Sequence, residues 1–256
     1  MTTPLGAADL LRDLRPRIIF FDMGGTLAYP HPSFHGLIAA VCHQHGLEIS
    51  EADVARAEPA VWERIAQREG GARGFTMHPD RSREFWLWVY QTFLGLVGCE
   101  EPRAVQLSER ILETFVRSES YRLYDDSIPT LERVRKAGLK VGVISNWEEW
   151  LERLMVDLDM RHHVDVAVVS GLAGVEKPDA EIFHHALSAA GVAPEEAIHV
   201  GDNIRDDVEG AEAVGIRGIL IDRTGARAAY FGPAPDRPPP IVVRSLLEIP
   251  DLLGLP

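Results

Sequence analysis

The chain has 256 residues, with a hydrophobic content of 46% and a charged content of 25%, as in an ordinary globular protein. Its 39 aspartate and glutamate residues outnumber 26 lysine and arginine residues, for a formal net charge of −13. This excess of negative charge argues against a nucleic-acid partner, because binding to a polyanion needs clustered cations.

No apolar run is long enough for a transmembrane helix, and the N-terminus lacks the apolar segment of a signal peptide. The only two cysteines, Cys42 and Cys99, lack CxxC spacing. We therefore expect a cytoplasmic protein with no membrane partner, and its oligomeric state stays open.

Short apolar runs alternate with helical patterns over most of the chain, which is typical of an α/β fold with a parallel sheet. Strands are predicted at residues 17–21, 139–144, 164–169, 197–200, 218–221 and 241–243. Helices are predicted between them at residues 127–137, 148–159, 179–190 and 206–214. We expect these elements to form a Rossmann-like catalytic core from residues 1–29 and 122–256.

Residues 30–121 interrupt the alternation, because they contain no good strand run. Their clearest patterns are helical, at residues 54–68 and 83–96. We expect an inserted α-helical cap domain at 30–121. The aromatic stretch at 85–90 is predicted to pack inside this domain, with the roof of a substrate pocket as the alternative. Trp147 and Trp150 are predicted as packing residues rather than substrate contacts.

Polar residues follow four of the predicted strands, at the edge where open α/β sheets bind their ligands. The first motif, Asp22-Met-Gly-Gly-Thr-Leu27, presents a carboxylate, and its following backbone N–H groups can face a phosphate-sized anion. In the second motif, Ser145 and Asn146 offer a hydroxyl and a backbone N–H for a phosphoryl oxygen. Helix capping is the ordinary alternative for this pair.

The third motif contains Lys177, the only lysine after Lys140, whose ammonium could neutralise both a carboxylate and a phosphate. A solvated surface lysine is the alternative. In the fourth motif, Gly201-Asp202 is followed by Asp206 and Asp207, a carboxylate group that suits Mg²⁺. Acidic residues also stabilise a helix N-terminus, so capping is the alternative here.

In this order and at these strand ends, the four motifs resemble those of the haloacid dehalogenase superfamily, over residues 17–28 and 121–222. The cap would then be inserted after the first motif. The resemblance implies that Asp22 attacks phosphorus to form an aspartyl-phosphate, with Lys177 and Ser145 as the other catalytic residues. It implies phosphate binding by Met23, Ser145, Asn146 and Lys177. It implies Mg²⁺ binding by Asp22, the Gly24 carbonyl, Asp202 and Asp207, with Asp206 as a substitute for Asp207 and Thr26 holding the loop.

Gly24 departs from the family's phosphatase pattern, in which an aspartate at this position protonates the leaving group and then activates water. The family's dehalogenases share an aromatic residue at this position, so a glycine at position 24 also argues against dehalogenation. A relocated acid could come from Tyr29, His31 or His35.

We therefore expect a Mg²⁺-dependent phosphomonoester phosphatase that acts on a small phosphorylated metabolite. A weakly active or silent member that binds a phosphate ligand or a protein partner is the alternative. A 2-haloacid dehalogenase is the third possibility.

Overall fold

The computed structural model describes residues 11, 14–68, 73–225 and 240–256. In chain order, the strands are β1 (Ile18–Phe21), β2 (Ala28–Pro30), β3 (Tyr121–Leu123), β4 (Lys140–Ser145), β5 (Val166–Val169), β6 (Ala197–Gly201), β7 (Arg217–Ile221) and β8 (Ile241–Val243). The helices are α1 (Phe34–Gln44), α2 (Glu51–Gln67), α3 (Pro79–Leu96), α4 (Arg103–Phe115), α5 (Ser127–Lys136), α6 (Leu151–Asp157), α7 (Ser170–Ala173), α8 (Ala180–Ala190), α9 (Gly210–Ala213) and α10 (Glu248–Leu252).

The main sheet is parallel throughout, with the strand order β5-β4-β1-β6-β7-β8. This arrangement confirms the predicted α/β fold class. Strand β1 is buried along its whole length, because helices cover both faces of the sheet. Its alternate side chains enter two different apolar clusters: Ile19 and Phe21 pack on one face, Ile18 and Phe20 on the other. The carboxyl end of β1 therefore lies between those of β4 and β6.

Helices α1 to α4, which we call the four-helix segment (34–115), pack around an apolar cluster of their own. The chain enters this segment through β2 and leaves it through β3, and these strands form an antiparallel pair. This small sheet was not predicted, because strands of three residues are too short for a periodic pattern. Strand β2 spans the predicted domain boundary between residues 29 and 30, and β3 spans the one between residues 121 and 122.

Two predicted helices differ from the observed ones. The helix predicted at 148–159 begins only at Leu151, because Trp147 donates its backbone N–H to Ser170 Oγ and accepts from the N–H of Gly171. The helix predicted at 206–214 is a π-helix (Ile204–Glu209) followed by α9. The side chain of Asn203 accepts from two N–H groups of the π-helix and caps its first turn.

No helix among the residues described combines the length and apolar character needed to cross a membrane. Cys42 and Cys99 are both free and buried.

Candidate active site

Asp22 begins the loop that follows β1. Its side chain is 11% exposed, and its backbone N–H donates to the carbonyl of Val200 at 2.8 Å. The loop turns back on itself, because Leu27 and Ala28 both donate their N–H groups to the carbonyl of Met23. Gly25 adopts a φ of +72°, and a Cβ there would lie 2.1 Å from Asp202 Oδ2. Glycine at this position thus permits the close approach of the Asp22 loop to Asp202.

Lys177 lies beside Asp22 and is almost fully buried, with a side-chain exposure of 3%. Its Nζ donates to Asp22 Oδ1 at 2.8 Å, to Asp207 Oδ1 at 2.5 Å and to the carbonyl of Ile144 at 2.8 Å. The side chain of Asn146 holds the Lys177 backbone, accepting from its N–H at 2.7 Å and donating to its carbonyl at 2.9 Å. The Asn146 side chain therefore positions Lys177, a role that was not predicted, and phosphate binding by Asn146 stays a prediction.

The charges of these groups depend on one another. Burial alone would lower the pKa of Lys177, but the Asp207 and Asp22 carboxylates raise it, so the ammonium stays protonated. Burial raises the pKa of Asp22 and Asp207 adds to this rise, while Lys177 and the Ser145 hydroxyl oppose it. Burial would also raise the pKa of Asp207, but Lys177 and His199 hold it well below its usual range. The resting site thus contains one buried cation between two buried carboxylates.

His199, on β6, was not identified from the sequence. It is completely buried, and its Nε2 lies 3.0 Å from Asp207 Oδ1, where it donates to the carboxylate. Asp207 Oδ2 accepts from the backbone N–H of Asn203 at 2.9 Å. A polar residue inside an apolar strand, two positions before Gly201, was the signal that could have found His199. Together these donors fix Asp207 beneath Lys177.

Three carboxylates could hold a metal ion. One oxygen atom each from Asp22, Asp202 and Asp207 lies within 4.8 Å of the others, and hard carboxylate oxygens suit Mg²⁺. Asp207 already accepts from Lys177, His199 and Asn203, which favours a supporting role for it. Asp206 is half-buried and accepts from the Asn203 side chain at 3.0 Å. Burial and the charge of Asp207 raise the pKa of Asp206 to about 6.

A cavity of about 560 Å³ opens beside these groups, between the carboxyl edge of the sheet and the four-helix segment. Asp22, Ser145, Lys177 and Asp202 line its sheet side. Much of the remaining wall is aromatic. A buried nucleophile candidate, a cation and an acidic cluster thus line one cavity.

A family model described as haloacid dehalogenase-like hydrolase matches residues 16–215. The chain belongs to the haloacid dehalogenase-like hydrolase family. It is 31% identical, over 81% of this chain and 82% of the relative, to human haloacid dehalogenase-like hydrolase domain-containing protein 3. It is 34% identical to a phosphoserine phosphatase from Thermus thermophilus, over 64% of this chain and 63% of that one. The solved structure of a 2-haloacid dehalogenase from Pseudomonas syringae matches with a TM-score of 0.60 and 24% identity, over 93% of this chain and 98% of that one. At this identity the structural match shows the fold alone, so the residues of the site must distinguish the possible reactions of this hydrolase.

Gly24 lines the cavity, and its φ lies outside the left-handed region. A Cβ at Gly24 would lie 3.2 Å from Cζ3 of the Trp147 indole. The space beside Gly24 therefore holds a ring that cannot act as a general acid. A side chain of aspartate size would fit only if this ring moved.

The three residues suggested as relocated acids do not line this cavity. Tyr29 packs against Tyr124 with 4.7 Å between ring centroids, and His35 Nε2 lies 3.3 Å from Glu58 Oε2. His31 contacts Tyr29 edge-on. The cavity wall instead includes Glu148, a residue that the sequence argument missed, which accepts a hydrogen bond from Ser82 of α3.

The other predicted site residues have different surroundings. Ser145 is buried at the end of β4 and lines the cavity. Met23 has no exposed surface and packs in the core, so only its backbone could face a phosphate. The Thr26 hydroxyl is buried with no hydrogen-bond partner among the described residues. The Thr26 carbonyl instead accepts from Arg223 Nη2 at 2.7 Å, and this bond fixes the end of the loop.

Trp86, Tyr90, Trp147 and Trp150 all line the cavity. The prediction that these residues pack inside the protein is correct but incomplete. Trp147 and Trp150 pack on the core cluster, and Trp86 packs on the cluster of the four-helix segment. Each of these side chains also presents surface to the cavity.

Proposed function

We propose that this hydrolase cleaves phosphomonoesters of small molecules, with Asp22 as the nucleophile and Mg²⁺ as the cofactor. The observation that carries the proposal is the contact of Lys177 with Asp22 inside a cavity that also contains Asp202 and Asp207. Membership of a hydrolase family with a phosphatase relative supports the same reaction.

In the first step, an Asp22 carboxylate oxygen attacks phosphorus, and the bond from phosphorus to the ester oxygen breaks. The product is an aspartyl-phosphate and the released alcohol, whose oxygen takes a proton from solvent or from a neighbouring acid. In the second step, water attacks the same phosphorus, which releases phosphate and restores the Asp22 carboxylate. Lys177 would offset the repulsion between the carboxylate and the phosphate, and the Ser145 hydroxyl would donate to a phosphoryl oxygen.

The acidic cluster fits a divalent cation, because its oxygens converge beside the nucleophile. Asp22 and Asp202 would hold Mg²⁺ together with the Gly24 carbonyl, and Asp207 would support it. When bound, Mg²⁺ would supply positive charge that stabilises the negative charge of the reacting phosphoryl group. Lys177 and His199 lower the pKa of Asp207 and so favour its ionised form.

We also propose that the four-helix segment acts as a cap that excludes water from the reaction. Among the contacts that join this part of the chain to the core, two involve hydroxyl groups: Ser82 donates to Glu148, and the Thr76 and Ser170 hydroxyls lie 2.7 Å apart. Both contacts lie at the cavity, so they would hold the roof closed over the substrate.

A weakly active or silent member is the second candidate, and Gly24 favours it. Neither Gly24 nor the adjacent Trp147 can protonate a leaving group. General acid–base assistance is worth about 10²–10⁴-fold in rate, so a site without it would turn over slowly.

A panel of phosphate esters, assayed with Mg²⁺ and with EDTA, tests the proposal. We expect phosphate release that requires Mg²⁺ and that is lost in Asp22→Asn. Binding of phosphate without release from any ester would indicate the silent member. Release of halide from 2-haloacids, without phosphate release, would instead show dehalogenation.

A further inference from the structure

The part of the cavity away from Asp22 has an unusually aromatic wall. Five rings of the four-helix segment and its loop line it: Phe34, Phe75, Trp86, Tyr90 and Phe115. They form one continuous group, since Trp86 stacks on Tyr90 at 5.7 Å and Tyr90 stacks on Phe115 at 5.4 Å.

Three further rings line the cavity from the core side: Tyr121, Trp147 and Trp150. Their centroids lie 5.3 to 5.9 Å apart, with steep angles between the ring planes. Trp147 also contacts the position of Gly24 next to the nucleophile, so this aromatic surface extends to the place where a leaving group would depart.

The charges that line the cavity disfavour a second anionic group on the ligand. Among the lining residues that the structure describes, the cations are Lys177 and Arg83. Lys177 is bonded to Asp22 and Asp207, and Arg83 is paired with Glu109. Glu148 and Glu149 add negative charge to the same wall, so a further carboxylate or phosphate would meet repulsion.

We propose that the substrate is a phosphate ester whose alcohol carries an aromatic ring and no further negative charge. This inference rests on the proposed function, because it places the phosphoryl group at Asp22. The aromatic wall would bury the ring of the alcohol and bind it edge-on or stacked. A volume of about 560 Å³ accommodates such a group within the range of ordinary ligand cavities.

Three esters whose reacting oxygens are chemically alike test the proposal in the presence of Mg²⁺: propyl phosphate, 3-phenylpropyl phosphate and the phosphate ester of 4-hydroxybutanoate. We expect kcat/KM for the phenyl ester to exceed that for the propyl ester by about 30-fold, because a phenyl group is buried. The carboxylate ester should be the poorest substrate. Equal values for the propyl and phenyl esters, or a preference for the carboxylate ester, would overturn the proposal.

Variants of two tryptophans test whether the preference for the phenyl ester arises from the aromatic wall of the cavity. Trp86→Ala should reduce the ratio of kcat/KM for the phenyl ester to kcat/KM for the propyl ester by about 10-fold. The matched control is Trp62→Ala, on α2, because the Trp62 side chain lies outside the cavity and the residue is 56% exposed. If Trp86→Ala does not fold, Trp86→Phe and the wild-type ligand series decide the question. A Trp86 variant that folds and keeps the full preference would contradict the proposal.

Calorimetric binding of two phosphonates separates this inference from the proposed function. 3-Phenylpropylphosphonate should bind about 30-fold more tightly than propylphosphonate, whether or not any ester is hydrolysed. Tighter binding of the phenyl compound without turnover of any ester would refute the proposed phosphatase activity but support the proposal that the cavity binds an aromatic ring. Equal binding of the two phosphonates would refute the aromatic pocket.

Discussion

Replacing Lys177 with methionine should destabilise the protein strongly at neutral pH and much less at mildly acidic pH. Methionine keeps most of the length and most of the apolar volume of the side chain but removes the ammonium. Asp22 and Asp207 would then be two buried carboxylates without their shared cation.

The magnitude follows from the geometry of the pair. Oxygen atoms of Asp22 and Asp207 lie within 4.8 Å, and two unit charges at that separation repel by about 3.5 kcal/mol at an effective dielectric constant of 20. Breaking a buried ion pair typically costs about 3–5 kcal/mol, so we expect a loss of this size at pH 7.

The pH dependence follows from the direction of the pKa shift. Without Lys177, the pKa of Asp22 rises further above its unfolded value, so the folded variant takes up a proton as the pH falls. Its stability therefore increases from pH 7 toward pH 5. In the wild type, the pKa of Asp207 is lowered, so its pairing with Lys177 contributes fully above the unfolded carboxylate pKa. The difference between the two proteins should shrink to about half at pH 5.

Urea denaturation at pH 7 and pH 5, in EDTA, measures this difference. Lys136→Met is the matched control, because Lys136 is exposed at the end of α5, and it should change the free energy of unfolding by less than about 0.5 kcal/mol. The reasoning fails if Lys177→Met costs no more than the control, or costs the same at both pH values.

Three further predictions concern the reaction. Asp202→Ala should abolish turnover at every Mg²⁺ concentration, and a titration of the rate against Mg²⁺ measures this. Recovery of activity at high Mg²⁺ would mean that the remaining ligands are enough to bind the ion. Asn146→Ala removes both hydrogen bonds that hold the Lys177 backbone, so kcat should fall by about 10–100-fold in a folded protein, and an unchanged kcat would remove this positioning role. Because Gly24 supplies no acid, stopped-flow assays should show a burst and a steep dependence of phosphorylation rate on leaving-group pKa, whereas a flat dependence would indicate another proton donor.

The position of the site could be predicted from the sequence, because it follows from strand ends. The carboxyl ends of parallel strands share one edge of a sheet, so a carboxylate after β1 and a hydroxyl at the end of β4 were expected at the same edge. Lys177 and Asp22 are 155 positions apart; the family resemblance implied that they act together, and the structure shows their contact.

The supporting contacts could not be predicted, because they depend on distances between segments that no local pattern encodes. The bonds from the Asn146 side chain to the Lys177 backbone depend on the position of the Lys177 loop, which the local sequence does not encode. The ring of Trp147 beside Gly24 and the bond from Ser82 to Glu148 likewise arise only when the loop after β4 meets the rest of the fold.

The most direct test of the central claim is to find where the phosphoryl group is carried during turnover. The protein would be mixed with an aryl phosphate and Mg²⁺, quenched in acid within the burst, digested and analysed by mass spectrometry. We predict one added phosphoryl group on the peptide that contains Asp22, and none in Asp22→Asn, which should remain folded. Turnover without any phosphoryl group on Asp22, or with the group on another residue, would contradict the account.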